Sequence, residues 1–499
     1  MDIKLKIAQM LMFAFHGQEY NEQLKFLIEE LKIGGVVHFG RNIDNVSQVI
    51  NLNEDIIKNS SIKPFIALDQ EGGAVLRVMH GITSLPGAMA LASGDIDKIE
   101  EICYYVGLEL AALGFNINLA PVGDVNNNPY NPVINSRSYS DDPAIVANLA
   151  MKAFKGFNKA NLITTMKHFL GHGDTNVDSH IGLPCVNKSK KELEELELVP
   201  FRNAIENGIN GIMTSHILYP AYDEKFPATL SKNIITELLK NELGFKGLIM
   251  TDSLTMGAIW TNFSLEEILV NSVCAGVDIL TFCGKASMDE QKLIFDTFVH
   301  LVENNKIPIT RIEESYNKII RYKQSLPHIN KLYPFMLKQD LAKLLQEKSI
   351  CLIKDKNRLI PICENDTLIL FPKIKIVTLV DDLNKQISLK DYLDCEEIIY
   401  DVDTNIDNIV DCVKSYSKVV LCTYNVKLDD YQNRLYRSLD KGKTIVVALR
   451  SPYDYLYLKP SSYILLFEAT KLSLQTLAKA LRGKIKITGK VKIKMEEYG

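Results

Sequence analysis

Short apolar runs rich in β-branched or aromatic residues recur through the first two-thirds of the 499-residue chain. They fall at 10–15, 35–39, 65–69, 116–122, 163–169, 211–216, 248–251 and 277–282. Largely apolar on both faces, each predicts a strand buried inside a parallel sheet. Helical patterns lie between them, as at 21–31, 97–113, 190–207 and 265–275. Eight strands interleaved with helices predict an α/β chain that opens with a (β/α)8 TIM-type barrel. A doubly wound open sheet is the alternative, but it gathers polar residues only at a switch point.

The pattern changes after residue 326, where Pro327 and Pro334 punctuate a connection. Strand-like runs follow at 350–353, 367–370, 376–380, 397–400, 419–423, 444–449 and 463–467, with helical stretches at 405–415 and 472–481. They predict a smaller three-layer α/β sandwich. The expected division is a barrel over 1–326, a linker over 327–340 and the sandwich over 341–499. Near the start, Lys4 and Lys6 precede an apolar run over 8–15 that mimics a signal peptide. Gln9 interrupts the run and no small-x-small site follows, so it reads as a buried strand ending at His16-Gly17.

Composition narrows the function without naming it. Apolar residues make up 46% and charged residues 24%, as in ordinary globular proteins. A net charge of −4 argues against a nucleic-acid partner. No apolar run approaches the ~20 residues that span a bilayer, so no membrane association is expected. The nine Cys show no C-x-x-C pair, which fits a reducing, cytoplasmic setting.

Chemistry concentrates at the predicted strand ends. Asp69, Lys167-His168, His216 and Asp252 each stand at or just past one, and in a barrel those ends converge on one face. Residues 167–180 hold a Lys, three of the nine His, two Asp and two Gly. In Asp178-Ser179-His180 an Asp can fix the imidazole tautomer while the other ring nitrogen moves a proton. An isolated Asp-x-His is more often a turn cap beside a packed ring; the polar loop after a strand favours function. Asp252 suits a nucleophile, a metal ligand or a substrate anchor, and equally an N-cap. Asp69-Gln70-Glu71-Gly72-Gly73 suits sugar hydroxyls, or is a glycine turn with a solvated acidic pair. Arg137 lies in a long polar loop and offers a forked donor, or pairs with a loop Asp. His216 is placed to contact substrate or to order neighbouring loops, the second being favoured. There is no H-E-x-x-H, and Gly171 and Gly173 spoil a rigid ligand face, so neither metal nor cofactor is expected.

Taken together these segments resemble glycoside hydrolase family 3, in its β-N-acetylglucosaminidase branch. The resemblance rests on K-H-F-x-G-H-G-D-T-x-x-D-S-H at 167–180, D-Q-E-G-G with Arg77, N-P-V-I-x-x-R-S, M-T-S-H and T-D-S-L, in the family order. Ala448-Leu449-Arg450-Ser451-Pro452-Tyr453 extends it into the second domain. It implies a retaining exo-enzyme that frees terminal N-acetylglucosamine from muropeptides, as in peptidoglycan recycling, or from chito-oligosaccharides. Asp252 would be the nucleophile and His180 the acid/base, oriented by Asp178. Asp69, Arg77, Arg137, Lys167 and His168 would hold the sugar. Leu170 replaces the usual Pro, Tyr139-Ser140 the usual Phe-Gly, and the second domain is short. A neutral imidazole, unlike a spent carboxylate, would not repel phosphate, so a phosphorylase using the same residues is one alternative. A catalytically silent sugar-binding protein is another.

Overall fold

The computed structural model describes residues 2–176, 178–179, 182–284, 287–374, 387–427 and 430–495. Eight short parallel strands form the first sheet: β1 (Leu11–Ala14), β2 (Gly35–His38), β3 (Phe65–Leu68), β4 (Ile117–Asn118), β5 (Ile163–Phe169), β6 (Gly211–Thr214), β7 (Leu248–Thr251) and β8 (Leu280–Phe282). Sequential strands are neighbours and β8 pairs with β1, Leu11 opposite Leu280. A bridge between Met250 and Ile279 joins β7 to the start of β8, so the sheet is a nearly closed (β/α)8 barrel. Every residue of these strands is buried, because the lumen covers one face and the helices the other. The helices end where their caps dictate. Asp142 accepts from Ala144 and Ile145 N–H to start Pro143–Lys159, and Ser264 with Glu267 closes a capping box on Leu265–Ala275.

The N-terminus departs from the strand reading. Residues Ile3–Gln9 form a helix, capped by Asp2, and only Leu11–Ala14 is extended. In that helix Ile7, Ala8 and Gln9 are buried, and Gln9 is satisfied by donating to the carbonyl of Lys32.

The closing seam is fastened by charge. Asp278 is fully buried and accepts from Ile249 N–H at 3.0 Å, Ser315 Oγ at 2.8 Å, Lys318 Nζ at 2.8 Å and Arg311 Nη2 at 3.2 Å. The last barrel helix, Ile309–Lys323, is thereby tied to β7 and the approach to β8.

The second sheet has six strands: β9 (Cys351–Asp355), β10 (Thr367–Pro372), β11 (Glu396–Tyr400), β12 (Lys418–Thr423), β13 (Thr444–Ala448) and β14 (Ser462–Leu465). Their order is β9-β14-β13-β12-β10-β11, parallel except for β9 against β14. Leu368, Val419 and Val446 face one apolar layer, while Ile369, Val420 and Ile445 face the other, which makes the domain a three-layer sandwich. The strand expected at 376–380 lies outside the described residues. The two domains share packing: Met89 and Ala90 of the barrel enter the sandwich core, and Ala342, Leu345 and Leu472 enter the barrel's. Among the described residues no helix is long and apolar enough to cross a membrane.

Replacing Asp278 with Ala leaves two partly buried cations without their shared carboxylate, a loss on the order of 3 kcal/mol. Urea unfolding of Asp278→Ala should show that drop in stability; a change below about 1 kcal/mol would mean the seam does not depend on this carboxylate.

Candidate active site

Strand direction brings the polar residues together. The carboxyl ends of β2 to β8 and their loops enclose a cavity of about 350 Å³. Asp69, Arg77, Arg137, Lys167, His168 and Asp252 all line it.

At its base lies a chain of alternating charge. Arg77 Nη2 donates to Asp69 Oδ2 at 3.0 Å, and Lys167 Nζ donates to Asp69 Oδ1 at 2.7 Å. The same ammonium is 2.6 Å from Glu71 Oε1. Arg137 closes the chain with a two-pronged contact to Glu71, Nε to Oε2 at 2.9 Å and Nη2 to Oε1 at 2.8 Å. Burial pushes both carboxyls upward, but the cations outweigh it. Lys167 and Arg77 hold Asp69 well below the usual carboxylate range, and Arg137 and Lys167 bring Glu71 down to about 2. Burial works against the Lys167 ammonium, and Asp69 and Glu71 overcome it and raise its pKa.

Local geometry makes this chain possible. Gln70–Gly72 and Val75–Leu76 form a small antiparallel hairpin just past β3. Gln70 Oε1 accepts from Arg77 N–H at 3.0 Å and Val78 N–H at 3.1 Å, which sets Arg77 opposite Asp69. Gly72 has φ +107°, and a Cβ there would lie 2.3 Å from the Pro86 carbonyl, so only glycine allows the turn. Of the two readings open for Glu71, a solvated pair does not hold: its side chain is 5% exposed and lies between Arg137 and Lys167. Arg137 pairs with that glutamate, and not with a loop Asp.

A second unit sits beside the first. Asp124, fully buried, accepts from His168 N–H at 3.1 Å and His172 N–H at 2.7 Å through Oδ1, and contacts His168 Nδ1 at 2.7 Å through Oδ2. Burial raises this carboxyl and the two histidines bring it down, to a net lowered pKa. A carboxylate at Nδ1 places the hydrogen there, so in the neutral ring Nε2 carries a lone pair for a hydroxyl donor. That Nε2 lies 3.9 Å from Asp252 Oδ2.

Asp252 follows β7 and accepts from Ser253 N–H at 2.7 Å. The next helix, Gly257–Trp260, is capped by Met256, so Asp252 is not its N-cap. Its side chain is 25% exposed against 13% for Asp69, which makes it the more accessible of the two carboxylates.

The loop after β5 arches over this floor. A Cβ on Gly173 would meet the Val125 carbonyl at 1.6 Å, so the close approach requires glycine. The peptide bonds 167–168 and 169–170 are both cis, and Leu170 is fully buried. His172 ties the loop to itself, with Nδ1 at 2.9 Å from Thr175 Oγ1 and Nε2 at 3.0 Å from Ser179 Oγ. Burial, with His168 nearby, lowers its pKa to about 4, so it is neutral at physiological pH. Ser179 is further fixed by Ala258 N–H, which donates to its carbonyl at 3.1 Å. Asp178 is partly buried between these anchors, and His180 lies outside the described residues.

His216 was open to two roles, substrate contact or the ordering of neighbouring loops. It does not line the cavity; its Nδ1 contacts Thr229 Oγ1 at 2.8 Å and its Nε2 the Ser253 carbonyl at 2.9 Å. It positions the loop that bears Asp252. Among the described residues no cluster of His, Cys, Asp and Glu has the arrangement of a metal site. The second domain also reaches this face. Tyr453 Oη accepts from Asn126 Nδ2 at 3.0 Å, and Ser451 Oγ from Asn135 Nδ2 at 3.0 Å. Asn126 and Asn135 flank the loop that ends in Arg137. Ser140 bonds the Lys492 carbonyl, so the departure at that position carries an interdomain contact.

Sequence comparison agrees with this geometry. Residues 2–322 match the glycosyl hydrolase family 3 N terminal domain. Beta-hexosaminidase A of Pseudoalteromonas piscicida is 36% identical over 332 residues, 61% of this chain; the chain spans about half (55%) of that relative. A beta-hexosaminidase of Neisseria meningitidis is 34% identical over 278 residues, 54% of this chain and 76% of the relative. The solved structure of a glycoside hydrolase family 3 beta-N-acetylglucosaminidase from Paenibacillus sp. has 33% identity and a TM-score of 0.92, covering 99% of both chains. The chain belongs to glycosyl hydrolase family 3 and is a glycoside hydrolase.

The charge chain makes stability depend on acid. Glu71 has an ordinary value of 4.5 and about 2 in the fold, so its contribution is complete above 4.5 and is lost as pH falls toward 2. Glu71→Gln should be less stable at pH 7 by roughly 3–5 kcal/mol and should lose less between pH 5 and pH 3 than the parent. Parallel pH profiles in urea unfolding would show that Glu71 is not held by this lattice.

Proposed function

We propose that the protein is a retaining exo-β-N-acetylglucosaminidase that removes terminal N-acetylglucosamine from muropeptides or chito-oligosaccharides. The observation that carries the reading is Asp252: a partly exposed carboxylate beside the His168 ring, above a floor of paired charges. Similarity to proteins named beta-hexosaminidase and beta-N-acetylglucosaminidase supports the sugar class.

In this reading Asp69 and Arg77 take the sugar hydroxyls, since a carboxylate accepts and a guanidinium donates. Lys167 and Arg137 keep Asp69 and Glu71 ionised, and His168 Nε2 accepts from a hydroxyl near the reacting carbon. Asp252 attacks C1 from below. The C1–O bond breaks, and protonated His180 gives its proton to the leaving oxygen, with Asp178 stabilising the imidazolium. The covalent glycosyl–Asp252 ester is then opened by water, whose proton returns to His180. Two inversions at C1 restore the β-anomer.

Asp252→Asn should lower turnover of aryl N-acetyl-β-glucosaminides by roughly four orders of magnitude. His180→Ala should hurt substrates with poor leaving groups far more than aryl substrates, because good leaving groups depart without a proton. The same assay run with inorganic phosphate should still yield the free sugar. Normal turnover by folded Asp252→Asn refutes the nucleophile, equal losses on both substrate types refute the acid, and sugar 1-phosphate as product makes the protein a phosphorylase.

A further inference from the structure

The long loop after β4 carries an aromatic ring that the mechanism does not use. Asn131 Nδ2 donates to the carbonyls of His172 at 2.8 Å and Gly173 at 3.0 Å, and Asn128 Nδ2 donates to Asn176 Oδ1 at 2.5 Å. Tyr130 lies between these two clamps, three residues before Val133, which lines the cavity. It is therefore fixed at the rim, beside the loop that leads to Asp178, and yet it is 62% exposed. Its neighbour comes from the other domain. The helix Asp454–Leu458 follows Tyr453, which is anchored to Asn126, and presents Tyr457 with ring centroids 6.4 Å apart and planes tilted by 59°. Two rings, one from each domain, thus stand beside the clamp between the partly buried amide of Asn128 and the exposed amide of Asn176.

A pyranose has one apolar C–H face and a rim of hydroxyls. It is matched by an aromatic ring flanked by amides, which donate and accept together. We infer that the Tyr130–Tyr457 pair binds the saccharide on the leaving-group side of the scissile bond, so that the second domain reads substrate length. The inference rests on the proposed glycosidase activity. Trp260 is the competing platform: it is 41% exposed, on the helix after the Asp252 loop, across the Asp178 segment.

Steady-state kinetics on two substrates separates the possibilities. One is chitotriose. The other is N-acetyl-β-glucosaminyl fluoride, whose leaving group is a single atom and cannot reach either ring. Tyr130→Ala and Tyr457→Ala should each raise KM for chitotriose roughly three- to tenfold, and the double variant should be little worse than either. The fluoride constants should change by less than about twofold. Parallel losses on both substrates would assign the pair to loop ordering, and no loss on chitotriose, or a loss confined to Trp260→Ala, would overturn the platform. If the parent protein cleaves neither substrate, the glycosidase reading itself falls and takes this inference with it, an outcome the fluoride control makes distinct.

Discussion

Lys167 stands between two carboxylates in a place water barely reaches, and this constrains everything around it. An ammonium 2% exposed is tolerated only with close counter-charges. Asp69 and Glu71 supply them, and each in turn needs its own arginine. Five side chains from β3, its hairpin, β5 and a distant loop must therefore meet within hydrogen-bonding distance or leave a buried charge exposed to the low-dielectric interior. The tight turn at Gly72, the Gln70 bonds to the backbone of Arg77 and Val78, and the one-turn segment Asn135–Arg137 all serve that meeting. In the reading proposed above, a lattice so fixed would need little reorganisation when substrate hydroxyls arrive, which is where much of an enzyme's electrostatic advantage lies.

The site then divides into a rigid floor and a roof formed by a loop. The floor holds its charges through the lattice and through Asp124, which orders two histidines at once. The roof is fastened by neutral contacts, His172 to Thr175 and Ser179, and Ser179 to Ala258. Asp252, by contrast, is held by the Ser253 N–H and by the loop that His216 secures. The second domain braces the same face at Asn126 and Asn135, so Arg137 depends on contacts made more than 300 residues away in the chain.

All eight barrel strands were legible in the sequence because burial on both faces leaves continuous apolar runs with a polar residue where each run stops. Asp69, Lys167, His168 and Asp252 were legible for the same reason, since a strand end fixes which face of the barrel a residue serves. Glu71 was not: its partner Arg137 is 66 positions away, and nothing local distinguishes a buried acid in a hairpin from a solvated one. Asp124 was hidden likewise, 44 residues from the ring it orients. His216 shows the limit of the strand-end rule, because the end of a strand does not say which way the next ring turns, and this one turns to Thr229 and Ser253. The opening helix was missed because its few residues were read together with the strand behind them.

The central claim is that this lattice presents an N-acetylglucosamine unit to Asp252, and covalent trapping tests it most directly. The protein would be incubated with a 5-fluoro N-acetylglucosaminyl fluoride, which slows breakdown of a glycosyl-enzyme, digested, and sequenced by mass spectrometry. The expected result is a single sugar adduct on the peptide containing Asp252, blocked by excess N-acetylglucosamine. An adduct on Asp69 or any other carboxylate, or rapid turnover of a natural substrate with no trappable adduct, would contradict the account.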